Sequence, residues 1–494
     1  MIMDNMLIDF YELTMCQGYF NKKTHEKTAC FDVFFRKCPD KASFVIANGV
    51  QECVQHVLNF GFSSDDIDYL RSLDKFSNEF LDYLKDLKFT GDVYAVPDGT
   101  VVFPNEPVIT VVAPLIQAQL IETALLLLFN RSSLITSKAS RIVRAAKGRP
   151  VMEFGTRRAQ GFDAANDGAL DAYIAGAVGT ACTITGKQFN IPVLGTMAHS
   201  FVQSFDSEYD AFVAYAESFP DAATLLVDTY DTLKSGVPNA IRVAKEVLEP
   251  MGKRLAGIRI DSGDLAYLSK AARKMFDDAG LQDAKICVSN SLDENVIEGL
   301  LQQGAPIDSF GVGENMITSK SQPVMGGVYK LAAIEKDGYL MPKIKISDNA
   351  EKITNPGFKD IVRLYDQHGK IITDVITLFG EKIPQDSYTL VDPDNTWKTK
   401  QVTGYRQEKI RTKMIENGKL IGKMQTVEEK RARVQQQLDT LWEENLRLDN
   451  PQTFIISLSD RLLKVKNALL NAHRKTDQKT TEEEIMKSIK FKTK

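Results

Sequence analysis

Three arginines, three aspartates and two glycine- or serine-bearing loops carry most of the chemistry this sequence offers. Arg157, Arg158 and Arg259 present planar forks suited to a carboxylate or a phosphate. Asp228, Asp261 and Asp264 can hold a divalent ion or pair with those arginines. Ser289-Asn290-Ser291 and the run from Gly311 through Gly313 to Glu314 can close backbone N–H groups on an anion, since glycine lets the chain approach and a following helix start adds its dipole. The histidine His199 stands among hydroxyls in IPVLGTMAHS, with Thr196 before it and Ser200 after it. Together these residues predict a phosphorylated substrate. For each aspartate alone the competing assignment is an ion pair, and for His199 a hydrogen-bonded structural role.

Each of these groups must be positioned by the element before it. Six apolar runs each give way to Gly, Thr, Ser, Asp or Arg, in the segments Val151–Arg158, Ile191–Ser200, Thr224–Asp231, Ala256–Asp264, Lys285–Asn290 and Ile307–Glu314. Between them lie helical stretches such as Leu170–Ala181, Pro238–Leu248, Ala266–Ala279 and Glu294–Gln303. Strands alternating with helices of that length predict βαβ units and a parallel sheet, and this many units favour closure into a barrel. Ligands then gather at the carboxyl ends of the strands, where Glu153 and the polar residues above would ring one mouth.

The flanking regions read differently. Asp9–Met15 starts a helix with Asp9 as N-cap, and Tyr11 is an aromatic anchor on it. Ala29–Phe35 is a strand, Phe44–Ala47 is expected to pair with it, and Asn48-Gly49 leads into a helix. Alternating strands over Gly91–Val112 precede a buried helix from Ile116 to Phe129 and a second helix bearing Lys138 and Arg141. Beyond Leu331 short strands and turns return. A charged helix follows over Val427–Asn445, another runs after Ser459 to about His473, and residues 473–494 read as a solvated tail or peripheral helix. The expected domains are therefore 1–148, 149–330 and 331–494.

Composition narrows the class. A chain of 494 residues with 61 basic and 65 acidic groups, net charge -4, has no global field for nucleic acid or an anionic membrane. Its six cysteines are scattered without CxxC spacing and read as reduced thiols of a cytoplasmic protein. The N-terminus lacks a basic leader and a cleavage site, and the apolar stretch Leu120–Phe129 is too short to span a bilayer.

The segments FYELTM, EFGTRRAQG, GTMAHSFVQSF, RIDSGDL, VSNSLDE and GVGENMIT through GGVYKL, in that order, closely resemble the nicotinate phosphoribosyltransferase family. The resemblance runs from Asp9 to Leu331 and more weakly through Asn355-Pro356-Gly357. It implies an α/β fold: an N-terminal α/β sandwich domain, an irregular α/β barrel of the type II phosphoribosyltransferase kind, and a small C-terminal region. It implies an ATP-coupled reaction, in which nicotinate and phosphoribosyl pyrophosphate give nicotinate mononucleotide and pyrophosphate, with Mg2+ as cofactor. Matching the motifs residue by residue implies that His199 is the phosphorylated histidine, with Arg259 and Asp261 also catalytic. Tyr11, Arg157, Thr196 and Arg259 would contact nicotinate. Arg158, Ser289, Asn290, Gly311, Gly313 and Glu314 would contact phosphoribosyl pyrophosphate. The family also implies a homodimer with shared active sites, Tyr11 arriving from the second subunit.

Two positions refine that picture. Some relatives carry threonine where Glu314 stands, and a carboxylate beside a phosphate is unfavourable, so contact there runs through backbone N–H or not at all. Relatives that use nicotinamide have an aspartate where this chain has Ala181, and its absence favours the acid. The rivals are nicotinamide or quinolinate as substrate, a non-catalytic pyridine nucleotide sensor, or an aldolase-like barrel. The last wants a Schiff-base lysine at a strand end, and none of the six ends supplies one.

Overall fold

The computed structural model describes residues 4–393 and 397–472. The segment 473–494, read above as a tail, lies outside the described residues. The chain divides into two compact units: one contains the segments ending at Leu134 and beginning at Val324, the other is Ile135–Pro323. Thus much of 331–494 shares a unit with the N-terminal segment. The strand Gly327–Lys336 pairs antiparallel with Thr28–Phe35, which also pairs with Ile109–Pro114. These strands belong to a seven-stranded sheet completed by Tyr339–Pro342, Asp92–Ala95, Thr412–Glu416 and Lys419–Leu420.

Several local expectations change. Val45–Ala47 pairs with Thr100–Val102 rather than with Thr28–Phe35. Gly49, at φ 78°, then turns the chain into the helix Val50–Asn59; a Cβ there would lie 2.5 Å from the Leu128 carbonyl oxygen. Asp9 occupies the N-cap position of Phe10–Asn21 without a capping hydrogen bond from its side chain. The two helices expected over 116–141 are divided elsewhere: a short helix, Leu115–Gln119, ends at Leu120, and one long helix, Glu122–Ala145, covers the rest. Val427–Asp439 ends earlier than expected and a short helix, Glu443–Leu446, follows.

The second unit carries the parallel sheet. Its strands, in spatial order, are Gly179–Thr180, Val151–Glu153, Ser309–Val312, Lys285–Ser289, Gly257–Ile260 and Thr224–Leu226. Five of the six expected strands are present. Ile191–Leu194 is not a buried strand: it makes one parallel bridge, Thr180 to Val193, and Val193 is 48% exposed. Pro192 lacks an N–H for a ladder and the chain leaves the sheet at Gly195. Gly179–Thr180 takes the sheet position instead, and the helix expected over 170–181 is Phe162–Ile174. The repeated βα units form the expected parallel sheet, six-stranded and extended by one bridge; among the described residues its ladder does not run from Val193 round to Thr224–Leu226. All six cysteines are free, and no described helix is long and apolar enough to cross a membrane.

Candidate active site

Strand alternation builds the centre of the site. In Gly257–Ile260, Ile258 and Ile260 are fully buried while Arg259 turns to the opposite face. Asp261, two residues on, shares Arg259's side. The adjacent strand aligns Cys287 with Arg259 and Val288 with Ile260, which brings Ser289 level with Asp261. Arg259 uses all three nitrogens: Nε donates to Ser289 Oγ at 2.8 Å, one terminal nitrogen to Thr196 Oγ1 at 3.2 Å, the other to Asp261 Oδ1 at 2.8 Å. Ser289 Oγ also donates to Asp261 Oδ1. The guanidinium carbon lies 5.5 Å from the centroid of the Phe154 ring. That ring explains Gly311, where a Cβ would come within 2.6 Å of it.

Asp261 is itself held by Asp228, whose Oδ2 accepts the Asp261 N–H at 3.0 Å and the Ser262 hydroxyl at 2.5 Å. Asp228 Oδ1 is buried without a hydrogen-bond partner. His199 opens the short helix His199–Gln203 at the edge of this network. Its Nδ1 lies 3.1 Å from Thr229 Oγ1 and its Nε2 3.9 Å from Asp261 Oδ2. Which of Nδ1 and Thr229 Oγ1 donates depends on the ring tautomer, and at 3.9 Å the Asp261 carboxylate is a charged neighbour of Nε2 rather than a hydrogen-bond partner.

The second cluster surrounds Glu153. This fully buried carboxylate accepts the Gly155 N–H and, at 2.6 Å, the Thr180 hydroxyl, which in turn accepts the Cys182 N–H at 2.9 Å. Burial raises the Glu153 pKa, and these two donors act in the opposite direction. Glu153 thus secures the turn that carries Thr156–Arg158. Arg158 Nε lies 3.6 Å from Glu314, whose carboxylate is also 2.6 Å from Lys320 Nζ. The Lys320 hydrogen bond holds Glu314 below its usual pKa. The Glu314 side chain is spent on cations rather than aimed at an anion.

Thr196, His199, Arg259, Asp261 and Ser289 are therefore brought together. Arg157 is exposed on its turn and lies outside this hydrogen-bond network. Asn290 and Ser291 follow Ser289 in left-handed conformations, φ 91° and 50°. Tyr11 belongs to the other unit and is 46% exposed; burial and the neighbouring carboxylate Glu122 raise its pKa. Sequence reasoning missed Thr229 as the neighbour of His199, although it stands next to Asp228 at a strand end. It also missed Asn315, whose side-chain amide donates to the carbonyls of Ser291 and Leu292.

Comparison with known proteins adds three matches to family models. Residues 6–130 match the nicotinate phosphoribosyltransferase N-terminal domain, 150–370 the nicotinate phosphoribosyltransferase family, and 358–466 the nicotinate phosphoribosyltransferase C-terminal domain. The Bacillus subtilis nicotinate phosphoribosyltransferase is 42% identical over 92% of each chain. The crystal structure of human nicotinic acid phosphoribosyltransferase superposes with a TM-score of 0.83 at 30% identity, covering 93% of this chain and 99% of that one. A nicotinate-nucleotide pyrophosphorylase from Pyrococcus furiosus shares the fold, with a TM-score of 0.67 at 22% identity over 88% of this chain and 95% of that one.

Proposed function

The chain belongs to the nicotinate phosphoribosyltransferase family, and from that premise we propose that it couples ATP hydrolysis to the transfer of phosphoribose from phosphoribosyl pyrophosphate to nicotinate. The observation that carries this reading is the Arg259 hub: a planar cation fixed by Thr196, Asp261 and Ser289, with His199 beside the same Asp261.

The pyridine nitrogen of nicotinate already has a lone pair, so its attack on the anomeric carbon needs no general base. Bond formation at that nitrogen accompanies cleavage of the bond to pyrophosphate, which leaves with the electron pair. The protein's work is to align the two partners and to stabilise the departing anion. In this reading Arg259 and Thr196 orient the pyridine carboxylate, with Arg157 a further contact at that end. Arg158, Ser289, Asn290 and the backbone of Gly311, Gly313 and Glu314 receive the phosphates. Ala181 leaves no anion to repel the acid.

His199 supplies the coupling. A neutral imidazole nitrogen attacks the γ-phosphorus of ATP, ADP leaves, and water later cleaves the phosphohistidine to phosphate. The adduct would hold a state that grips the sugar substrate, and its hydrolysis would release product. Among the described residues no group of three or more His, Cys, Asp or Glu side chains is arranged for a metal. Magnesium nonetheless suits this rim, because it commonly binds through one or two carboxylates plus substrate phosphates, and Asp228 has a buried oxygen without a partner. Asp228 and Asp261 would hold it, where it would neutralise phosphate charge.

We take the active form as a cytoplasmic homodimer in which the partner subunit's Tyr11 stacks on nicotinate. Mixing inactive Tyr11→Ala and His199→Ala proteins should then restore activity, whereas sites built within one subunit would stay dead. The primary test assays the protein with nicotinate, nicotinamide and quinolinate, each with phosphoribosyl pyrophosphate, ATP and Mg2+. Mononucleotide should form from nicotinate, and mass spectrometry after incubation with ATP and Mg2+ should find one acid-labile phosphoryl group on a His199 peptide. Equal turnover of nicotinamide would overturn the substrate. Unchanged ATP consumption in His199→Ala would overturn the coupling.

A further inference from the structure

We propose that Asn315, Glu294, Lys138 and Arg141 are positioning residues for the pyrophosphate end of the site, fixing the loop 289–293 in its anion-binding shape without touching the anion. The inference rests on the reading that this loop receives phosphates.

The loop needs such support. Asn290 and Ser291 both hold left-handed backbone conformations without being glycine, and such residues persist only where their surroundings enforce them. Asn315 supplies one restraint: its Nδ2 donates to Ser291 O at 2.9 Å and to Leu292 O at 3.1 Å. In a trans peptide the carbonyl and the next N–H point in opposite directions. Holding those two carbonyls therefore turns the N–H groups of Leu292 and Asp293 away from Asn315. Asn315 sits just after Gly313 and Glu314, so it ties one proposed phosphate segment to the other.

The far end of the loop is pinned by charge. Glu294 is the first residue of the helix Glu294–Gln302 and is 1% exposed. Lys138 Nζ lies 2.8 Å from its carboxylate and Arg141 Nε 2.9 Å. Lys138 and Arg141 stand one turn apart on Glu122–Ala145, and Lys138 also donates to Ser321 Oγ at 2.8 Å. Asp293 caps the helix through the N–H groups of Asn295 and Val296. Burial disfavours the Glu294 anion, but the Lys138 charge and the hydrogen bonds from Lys138 and Arg141 outweigh it, and the pKa falls. Apolar residues of similar volume would avoid the desolvation of three buried charges. What the triad adds is a directional anchor at the point where the loop becomes helix.

The test compares Asn315→Leu and Glu294→Gln with the unmodified full chain, varying phosphoribosyl pyrophosphate and nicotinate separately. Loss of two hydrogen bonds in Asn315→Leu should raise the KM for phosphoribosyl pyrophosphate about 10-fold or more. The KM for nicotinate should move less than about 2-fold, with melting temperature unchanged. Glu294→Gln should move the same KM and lower the melting temperature; should it fail to fold, Asn315→Leu decides alone. Parallel rises in both KM values, or a loss confined to kcat, would overturn the proposal. Calorimetric titration with inorganic pyrophosphate and Mg2+ needs no turnover. Weaker binding by Asn315→Leu sustains the inference even if nicotinate proves not to be the substrate, whereas equal binding, or no binding by the unmodified chain, overturns it.

Discussion

Replacing Arg259 with lysine keeps the charge and removes the fork, which separates what the geometry contributes from what a cation alone would do. The guanidinium holds Ser289, Thr196 and Asp261 through three different nitrogens. A lysine ammonium is a single point at the end of a flexible stem and cannot occupy those three positions together. If it keeps Asp261, the bonds to Ser289 and Thr196 go, at about 0.5–1.5 kcal/mol each. The planar contact proposed with the substrate carboxylate would be a charge-assisted bond, adding about 1.5–3 kcal/mol. The sum, roughly 2.5–6 kcal/mol, corresponds to a fall of about two to four orders of magnitude in kcat/KM for nicotinate. Initial-rate kinetics with nicotinate as the varied substrate reads this directly. A loss below about 10-fold in Arg259→Lys would refute the assignment, since it would mean that charge rather than shape is what the site uses.

Three other outcomes follow from particular contacts. Thr229→Val removes the hydroxyl 3.1 Å from His199 Nδ1, so the rate of histidine phosphorylation by ATP should drop about 3- to 10-fold, read by rapid quench with labelled ATP, and Thr229→Ser should retain most of it. Burial pushes the fully buried Glu12 from its usual 4.5 up to about 7. The folded chain then binds a proton that the unfolded chain has lost, so this group's contribution to stability falls as pH rises from about 4.5 to about 7; denaturant unfolding at pH 5 and 8 should show Glu12→Gln flattening that slope. Asp374 holds Arg363 through two bonds of 2.8 and 2.6 Å, with both side chains fully buried. Asp374→Ala should therefore cost about 3–5 kcal/mol in thermal or denaturant unfolding, and Arg363→Met in the same background should return part of it.

The parts of the site that could be read in the sequence are those whose position follows from a short-range rule. Arg259 and Asp261 share a face because side chains in a strand alternate, and their neighbours Ile258 and Ile260 declare which face is the core. Ser289 then joins them because parallel neighbours of similar length bring their carboxyl ends into line. The same rule failed at Ile191–Leu194, which has apolar composition but also Pro192, and a missing N–H counts for more than hydrophobicity when a sheet edge is being extended. It also could not find Gly179–Thr180, two small residues without a periodic signal. Their strand exists because Val151–Glu153 offers a ladder to pair with, and because a Cβ at Gly179 would meet Pro192 O at 2.7 Å. In the first unit the strand Gly327–Lys336 reaches Thr28–Phe35 across some 300 residues, and long-range pairing of that kind leaves no local mark.

Charged residues present the sharper lesson, because their type says little about whether they meet ligand or protein. Arg158 and Glu314 both stand in motifs expected to receive phosphate, yet each lies against the other, with Lys320 closing the group. An anion approaching there would meet Arg158 already part-neutralised, and its binding energy would include the cost of displacing Glu314. Lys138 and Arg141 are two cations one turn apart on a helix, and they are almost fully buried on Glu294. What distinguishes the two cases is burial. An exposed pair can be exchanged for a substrate contact at little cost, whereas removing one partner of a buried pair leaves a charge that neither water nor ligand can reach. In the proposed site, Arg158 would therefore belong to the part that can rearrange on binding, and Glu294 to the part that must already be in place.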